Sequence, residues 1–152
     1  MKNLLRLLLV VAWLSGSAFL RAERVPADSV AKIKTYQVAD LQKLDRIPLR
    51  QLIAIKFNYR HQKIRHLKPN WFQGSLWGYA VEGKKKYVFV QVMVSKEDLP
   101  AFKAITTDFQ AGAEQVAYGQ VLQDREATKW RFVRLFGTKM ERDAAGNATV
   151  SW

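Results

Sequence analysis

The sequence contains no cysteine, only two histidines, and about half as many acids as bases, 13 against 25. Without cysteine there is no disulfide framework, no thiolate chemistry and no thiol for lipid attachment, so packing alone must hold the fold. The histidines, His61 and His66, stand at a spacing that fits no standard metal motif and have no carboxylate close by, so no metal site is expected. There is also no phosphate-cradling glycine loop, no dinucleotide fingerprint and no serine in a nucleophile elbow. The carboxylates Asp108, Glu114, Asp124 and Glu126 fall at a helix end and in a charged turn, where capping and solvation account for them. These absences lead us to expect no cofactor and no catalysis. The shortage of acid gives the 152 residues a net charge of +12, an excess that favours anionic partners and also serves solubility.

Long apolar runs are missing too, except at the N-terminus. Met1-Lys2-Asn3 leads into an apolar stretch from Leu4 to Leu14, broken only by Arg6, and then into Ser15, Gly16, Ser17 and Ala18. That basic, apolar, small-residue order is the order of a secretory signal peptide. The stretch is short of the roughly 20 residues that span a bilayer. Cleavage after Ala18 or Ala22 is expected, and the second site makes residues 1–22 the signal. The rest, about 130 residues, is enough for one core, and its expected place is the periplasm or cell exterior. Residues 23–50 read as a flexible leader with a short helical turn between Val38 and Leu44, capped by Asp40 or Asp45, and residues 51–152 as the folded domain.

What the domain has in plenty is alternation. Leu52–Arg60 places Ile53, Ile55, Phe57 and Tyr59 on one side and Lys56, Asn58 and Arg60 on the other, as a half-buried strand does. After a basic connection from His61 to Asn70 comes a second strand, 71–80, with Gly74 and Gly78 allowing sharp coiling. A hairpin turn at Glu82 and Gly83, running on into Lys84 to Lys86, precedes the most regular strand, 87–94, whose four valines should face the core and leave Tyr87, Phe89 and Gln91 outside. Ser95 and Asp98 form a capping-box pattern before an apolar stripe of Leu99, Phe102, Ile105 and Phe109, which predicts a helix over 96–109. Two strands follow, 114–123 and 129–140, then a turn at 143–147 and a short return at 149–152.

From Leu52 to Met140 the order is three strands, a helix and two strands, and Ala117-Tyr118-Gly119-Gln120-Val121 is a glycine-containing fourth strand. In these respects the chain resembles OB-fold proteins. The resemblance is one of fold; it implies a mainly β domain, a five-stranded Greek-key barrel with its helix between strands three and four. An open antiparallel sheet with the helix on one face is the alternative arrangement of the same elements.

The resemblance also implies where a ligand goes: on the outer face of strands two and three, between the loops joining strands one to two and four to five. Trp71, Gln73, Ser75, Trp77 and Tyr79 alternate along strand two beside Tyr87 and Phe89 of strand three, and flat aromatic surfaces of this kind stack bases or sugar rings. A one-residue slip would turn them inward instead. The basic connection supplies Arg60, Lys63, Arg65 and Lys68 as a rim for phosphate, carboxylate or sulfate, extended by Lys84 to Lys86 and Arg125. Arg131 or Arg134 could join the face or stack on its neighbours Trp130 and Phe132. The expected partner is an anionic polymer, nucleic acid or glycan. The alternative is a structural role in which the aromatics bind a cell-envelope protein or the positive surface rests on anionic lipid.

Overall fold

The computed structural model describes residues 22–81, 84–105, 114–124 and 130–152. The apolar N-terminal run, the turn residues Glu82 and Gly83, the predicted helix beyond Ile105, Asp108, Arg125 and Glu126 lie outside the described residues. The elements are β1 (Glu23–Val25), α1 (Ala27–Val30), β2 (Lys34–Gln37), a 3-10 segment (Asp40–Arg46), β3 (Leu52–Phe57), β4 (Tyr59–Arg60), β5 (Arg65–Lys68), β6 (Trp71–Val81), β7 (Lys84–Ser95), α2 (Leu99–Ala104), β8 (Gln115–Gln123), β9 (Arg131–Gly137), β10 (Lys139–Arg142) and β11 (Ala148–Ser151).

The fold is mainly β, with helix α2 between the third and fourth of its long strands. One sheet has eight strands in the order β2-β3-β8-β9-β7-β6-β4, with β5 also paired to β6; the other has three, β1-β11-β10. Among the described residues eleven strands replace the five expected, and the sequence shows why at three places. Asn58 interrupts the first strand, so that β3 pairs with β8 while β4, one residue later, pairs with β6. The last long strand breaks at Thr138, whose N–H donates to the Ser151 carbonyl (2.9 Å), and its continuation β10 joins β11 in the small sheet. The basic connection is itself partly a strand, β5, laid antiparallel on β6.

Alternation decides which side is buried. On β6 and β7, Leu76, Val90, Val92 and Val94 enter the core with Ile53, Ile55 and Phe57 of β3 and Val121, Val133 and Leu135 of β8 and β9. Each such side chain contributes about 1.5–3 kcal/mol when taken fully out of water. Gly119 sits where the β8–β9 register shifts by a residue, and a Cβ there would lie 2.6 Å from the Arg134 carbonyl. The missing side chain lets β9 bulge against β8.

The segment 23–50 is not a loose leader. Strand β2 pairs in parallel with β3, and Val38, Leu41 and Ile47 are buried in the main core. Strand β1 pairs with β11. Val25, Val30, Phe136, Ala148 and Val150 make a second, smaller core. Ser95 Oγ accepts the Asp98 N–H (3.2 Å) and donates to its carboxylate (2.8 Å); this exchange closes the turn that ends at Asp98, the residue before α2, so the helix begins at Leu99 and not at residue 96. Helix α2 then drives Phe102 into the core with no exposed surface.

Candidate functional site

The outer face of β6 and β7 carries a ladder of aromatic pairs. The register sets Trp77 opposite Phe89 and Tyr79 opposite Tyr87. Trp77 and Phe89 stack at 5.1 Å between centroids and 26° between planes, and Tyr79 and Tyr87 meet at 5.2 Å. Desolvation, and then a hydrogen bond with Tyr79, hold the Tyr87 phenol above its usual range. On the other side of Trp77 lies His61, stacked at 5.7 Å and again 26°. Its Nδ1 accepts the Lys63 N–H (3.1 Å), which fixes the ring and leaves Nε2 to carry the proton of the neutral form. His61, Trp77 and Phe89 thus form a continuous stack whose last ring, Phe89, is 45% exposed.

Two recesses flank this stack and share its exposed end. The first, about 210 Å³, has Lys63 and Arg65 in its wall and Trp77, Phe89 and Gln91 in its lining. The second, about 410 Å³, runs from Phe89 and Gln91 to Trp130 and Arg131, with Gln42 and Asp45 of the 3-10 segment opposite. Gln42 Nε2 donates to the Phe89 carbonyl (2.6 Å). Arg131 Nη1 donates to the carbonyls of Leu44, Asp45 and Ile47 at 3.1, 2.9 and 2.8 Å, so it is a clamp on the 3-10 segment and not a free cation. Trp130, 37% exposed and tilted against Phe132 at 5.4 Å between centroids, closes the far end.

The predicted site residues therefore divide. Trp77, Tyr79, Tyr87 and Phe89 lie together, and Lys63 and Arg65 border them. Trp71 stands six residues from Trp77 on β6, about 20 Å at 3.3 Å per residue; the Arg134 guanidinium lies 5.2 Å from its ring and 5.0 Å from Phe136. Lys68 pairs in register with Trp71 and belongs to that distant end.

Arg60 leaves the rim altogether: it is 7% exposed. Its Nη1 donates to the His61 carbonyl and its Nη2 to the Lys103 carbonyl, both at 3.1 Å, and its guanidinium lies 5.5 Å from the Phe102 ring. The cause is the interruption at Asn58, which resets the alternation so that Phe57 and Arg60 both point inward, as an extra residue in a strand does. A cation on the last carbonyls of α2 is favourably placed.

His61, Gln42 and Trp130 are the members of the face that the sequence reading did not assign. The signal for His61 was present: it continues the outward alternation from Tyr59 once the break at Asn58 is counted. Among the described residues no three acidic or histidine side chains come together to hold a metal ion.

No protein-family model matches the chain, and no curated protein matches it in sequence. Among solved structures it is similar to an aspartyl-tRNA synthetase-like chain from Leishmania major Friedlin, at 14% identity and a TM-score of 0.41. That match covers 80% of this chain and 24% of the other. A likeness of this size carries no argument about function.

Proposed function

We propose that this chain is an exported binding module that grips a single-stranded nucleic acid or an anionic glycan across the outer face of β6 and β7, acting by binding and not by catalysis. The observation that carries the reading is the His61–Trp77–Phe89 stack, exposed at Phe89 and bordered by Lys63 and Arg65. Exposed rings offer a flat surface to bases or sugars, and adjacent cations meet the charges of the backbone. The two recesses give such a chain a path across the face instead of a closed pocket.

An OB-type closed ring is part of the proposal. Its support is the stretch 52–60, which pairs with β8 through its first half and β6 through its second, together with the parallel pairing of β7 with β9. In a ring of that kind the face between the loop after β4 and the loop before β9 is where oligomers bind. Export is argued from the order of residues 1–22 alone. Among the described residues no helix is long and apolar enough to cross a membrane.

The test is binding of a labelled single-stranded oligonucleotide and of heparin across a salt series. Replacing Trp77 and Phe89 by alanine should weaken binding by roughly 1–3 kcal/mol per lost stacking contact. Replacing Lys63 and Arg65 by alanine should flatten the salt dependence for the oligonucleotide by about 1.4 in slope, two phosphates at about 0.7 each. Whichever polymer responds to both changes is the ligand class. If neither binds, or the variants bind like the parent, the reading is wrong and a protein partner for the aromatics takes its place.

A further inference from the structure

A further recess lies away from the aromatic face. About 650 Å³ in volume, it is formed where β1 and Pro26 meet the turn into β3, and Lys32, Lys34, Gln120 and Phe136 complete its lining. Four cations line it, Arg24, Lys32, Lys34 and Arg50, against one acid, Glu23. Arg24 is near enough to Asp143 to help hold that carboxyl below its usual range, so its charge is shared. For Lys32, Lys34 and Arg50, no carboxylate among the described residues comes within ion-pair distance. Apolar groups share the same lining: Val25, Pro26, Pro48, Leu49, Leu52 and Phe136.

A second observation falls on the same recess. Arg50 has φ of +62°, the one non-glycine residue in the left-handed region among the described residues. It is the third residue of a turn in which the Gln51 N–H donates to the Pro48 carbonyl (3.3 Å), a position that glycine fills without strain. The conformation is held from both sides: the Arg50 N–H donates to the Val121 carbonyl (2.7 Å), and Gln120 Nε2 donates to the Arg50 carbonyl (2.8 Å). Residues held in a sparsely populated backbone region by their surroundings cluster at ligand clamps and other functional sites.

We infer that this recess binds a small anionic amphiphile, its phosphate or carboxylate head held by Lys32, Lys34 and Arg50 and its apolar body laid on Val25, Leu52 and Phe136. The volume is that of a site for a drug-sized molecule. Three cations with no acidic partner among the described residues supply an attraction that a neutral ligand would not use, and the apolar lining supplies one that a bare ion would not use.

Calorimetric titration of the purified protein with octyl phosphate, inorganic phosphate and octyl glucoside tests each half of the site. Octyl phosphate should bind at one site, at least tenfold tighter than either of the others. The Lys32→Ala, Lys34→Ala, Arg50→Gly variant, shown to be folded by circular dichroism, should lose at least tenfold. Arg50→Gly alone should weaken binding while keeping or raising Tm, because glycine relieves the backbone; a merely structural arginine would not separate the two readouts.

The head could belong to a free amphiphile or to a bilayer lipid. Sedimentation with phosphatidylglycerol vesicles that is lost in the triple variant assigns a lipid headgroup, and octyl phosphate binding without sedimentation assigns a free molecule. Octyl phosphate that binds no tighter than inorganic phosphate, or equally well to the triple variant, overturns the inference.

Discussion

Two glycines four residues apart on β6 each receive a side chain from a different part of the molecule, and the two seats are unlike. At Gly74 a Cβ would lie 2.5 Å from Phe102 Cε1; at Gly78 it would lie 3.1 Å from Val38 Cβ. The first seat holds an aromatic ring from α2, with the Arg60 guanidinium 5.5 Å away and Trp152 set edge-on at 6.1 Å. The second holds a small branched side chain from the N-terminal segment, backed by Leu41 and Ile47. One device closes the core at both places: a missing Cβ on a strand lets another element approach the sheet. The difference is in who supplies the plug. A helix within the strand order fills one seat, and a segment preceding all the long strands fills the other, which makes residues 34–47 as much a part of the core as the helix is.

The sharpest test of this comparison is to empty each seat. Phe102→Ala should cost about 3–5 kcal/mol in urea unfolding, the usual range for removing a fully buried aromatic. Crowding the same seat, Gly74→Ala should cost about 2–3 kcal/mol, because the strand and the ring are both packed and neither can retreat. In the Phe102→Ala background the same glycine change should become much cheaper, a coupling that a double-mutant cycle reads directly. Val38→Ala should cost about 2 kcal/mol, two methyl groups and the space they leave. A cost near zero would return the N-terminal segment to the status of a leader. Gly78→Ala should cost only about 1 kcal/mol, since a Cβ at 3.1 Å asks its neighbour to move a few tenths of an ångström.

The same contrast explains what the sequence disclosed. The Phe102 plug was legible because Ser95 and Asp98 announce a helix start and the apolar spacing of Leu99 and Phe102 follows. The valines of β7 and the outward row of Trp77, Tyr79, Tyr87 and Phe89 were legible because an unbroken strand fixes faces by parity. The Val38 plug was not, because residues 34–47 show no sustained period: a short parallel strand and a 3-10 segment bury single residues, and neither writes a repeat. Arg60 was misplaced for a related reason. Parity carries across a strand only while no residue is added, and nothing about Asn58 by itself declares a break. Trp71 had the right parity and the wrong neighbour, since the approach of Arg134 depends on the pairing of β7 with β9, which no local pattern encodes.

A smaller effect separates the two seats by pH. Glu114, just before β8, bonds Lys56 Nζ of β3 at 2.7 Å and accepts from Gln37 Nε2 of β2 at 3.3 Å, so one carboxylate ties β3 to β2, the strand that leads into Val38. Its hydrogen bond with Lys56 holds its pKa below the ordinary value of 4.5, against the opposing pull of burial. A carboxyl with a depressed folded pKa stabilises above its unfolded pKa, and that contribution disappears as pH falls through the folded value. Stability should therefore decline below about pH 4.5 by a component that Glu114→Gln removes. The pair is exposed, 38% and 42% at its two side chains, and solvent screening limits the component to about 0.5 kcal/mol. Hydrogen exchange at pH 6 and pH 3.5, in the parent and in Glu114→Gln, gives it a location. Added opening in the parent should centre on β2 and the 3-10 segment, with the amides around Phe102 less affected. Equal loosening at both seats would mean that they respond as one unit and that the carboxylate has no special hold on the N-terminal plug.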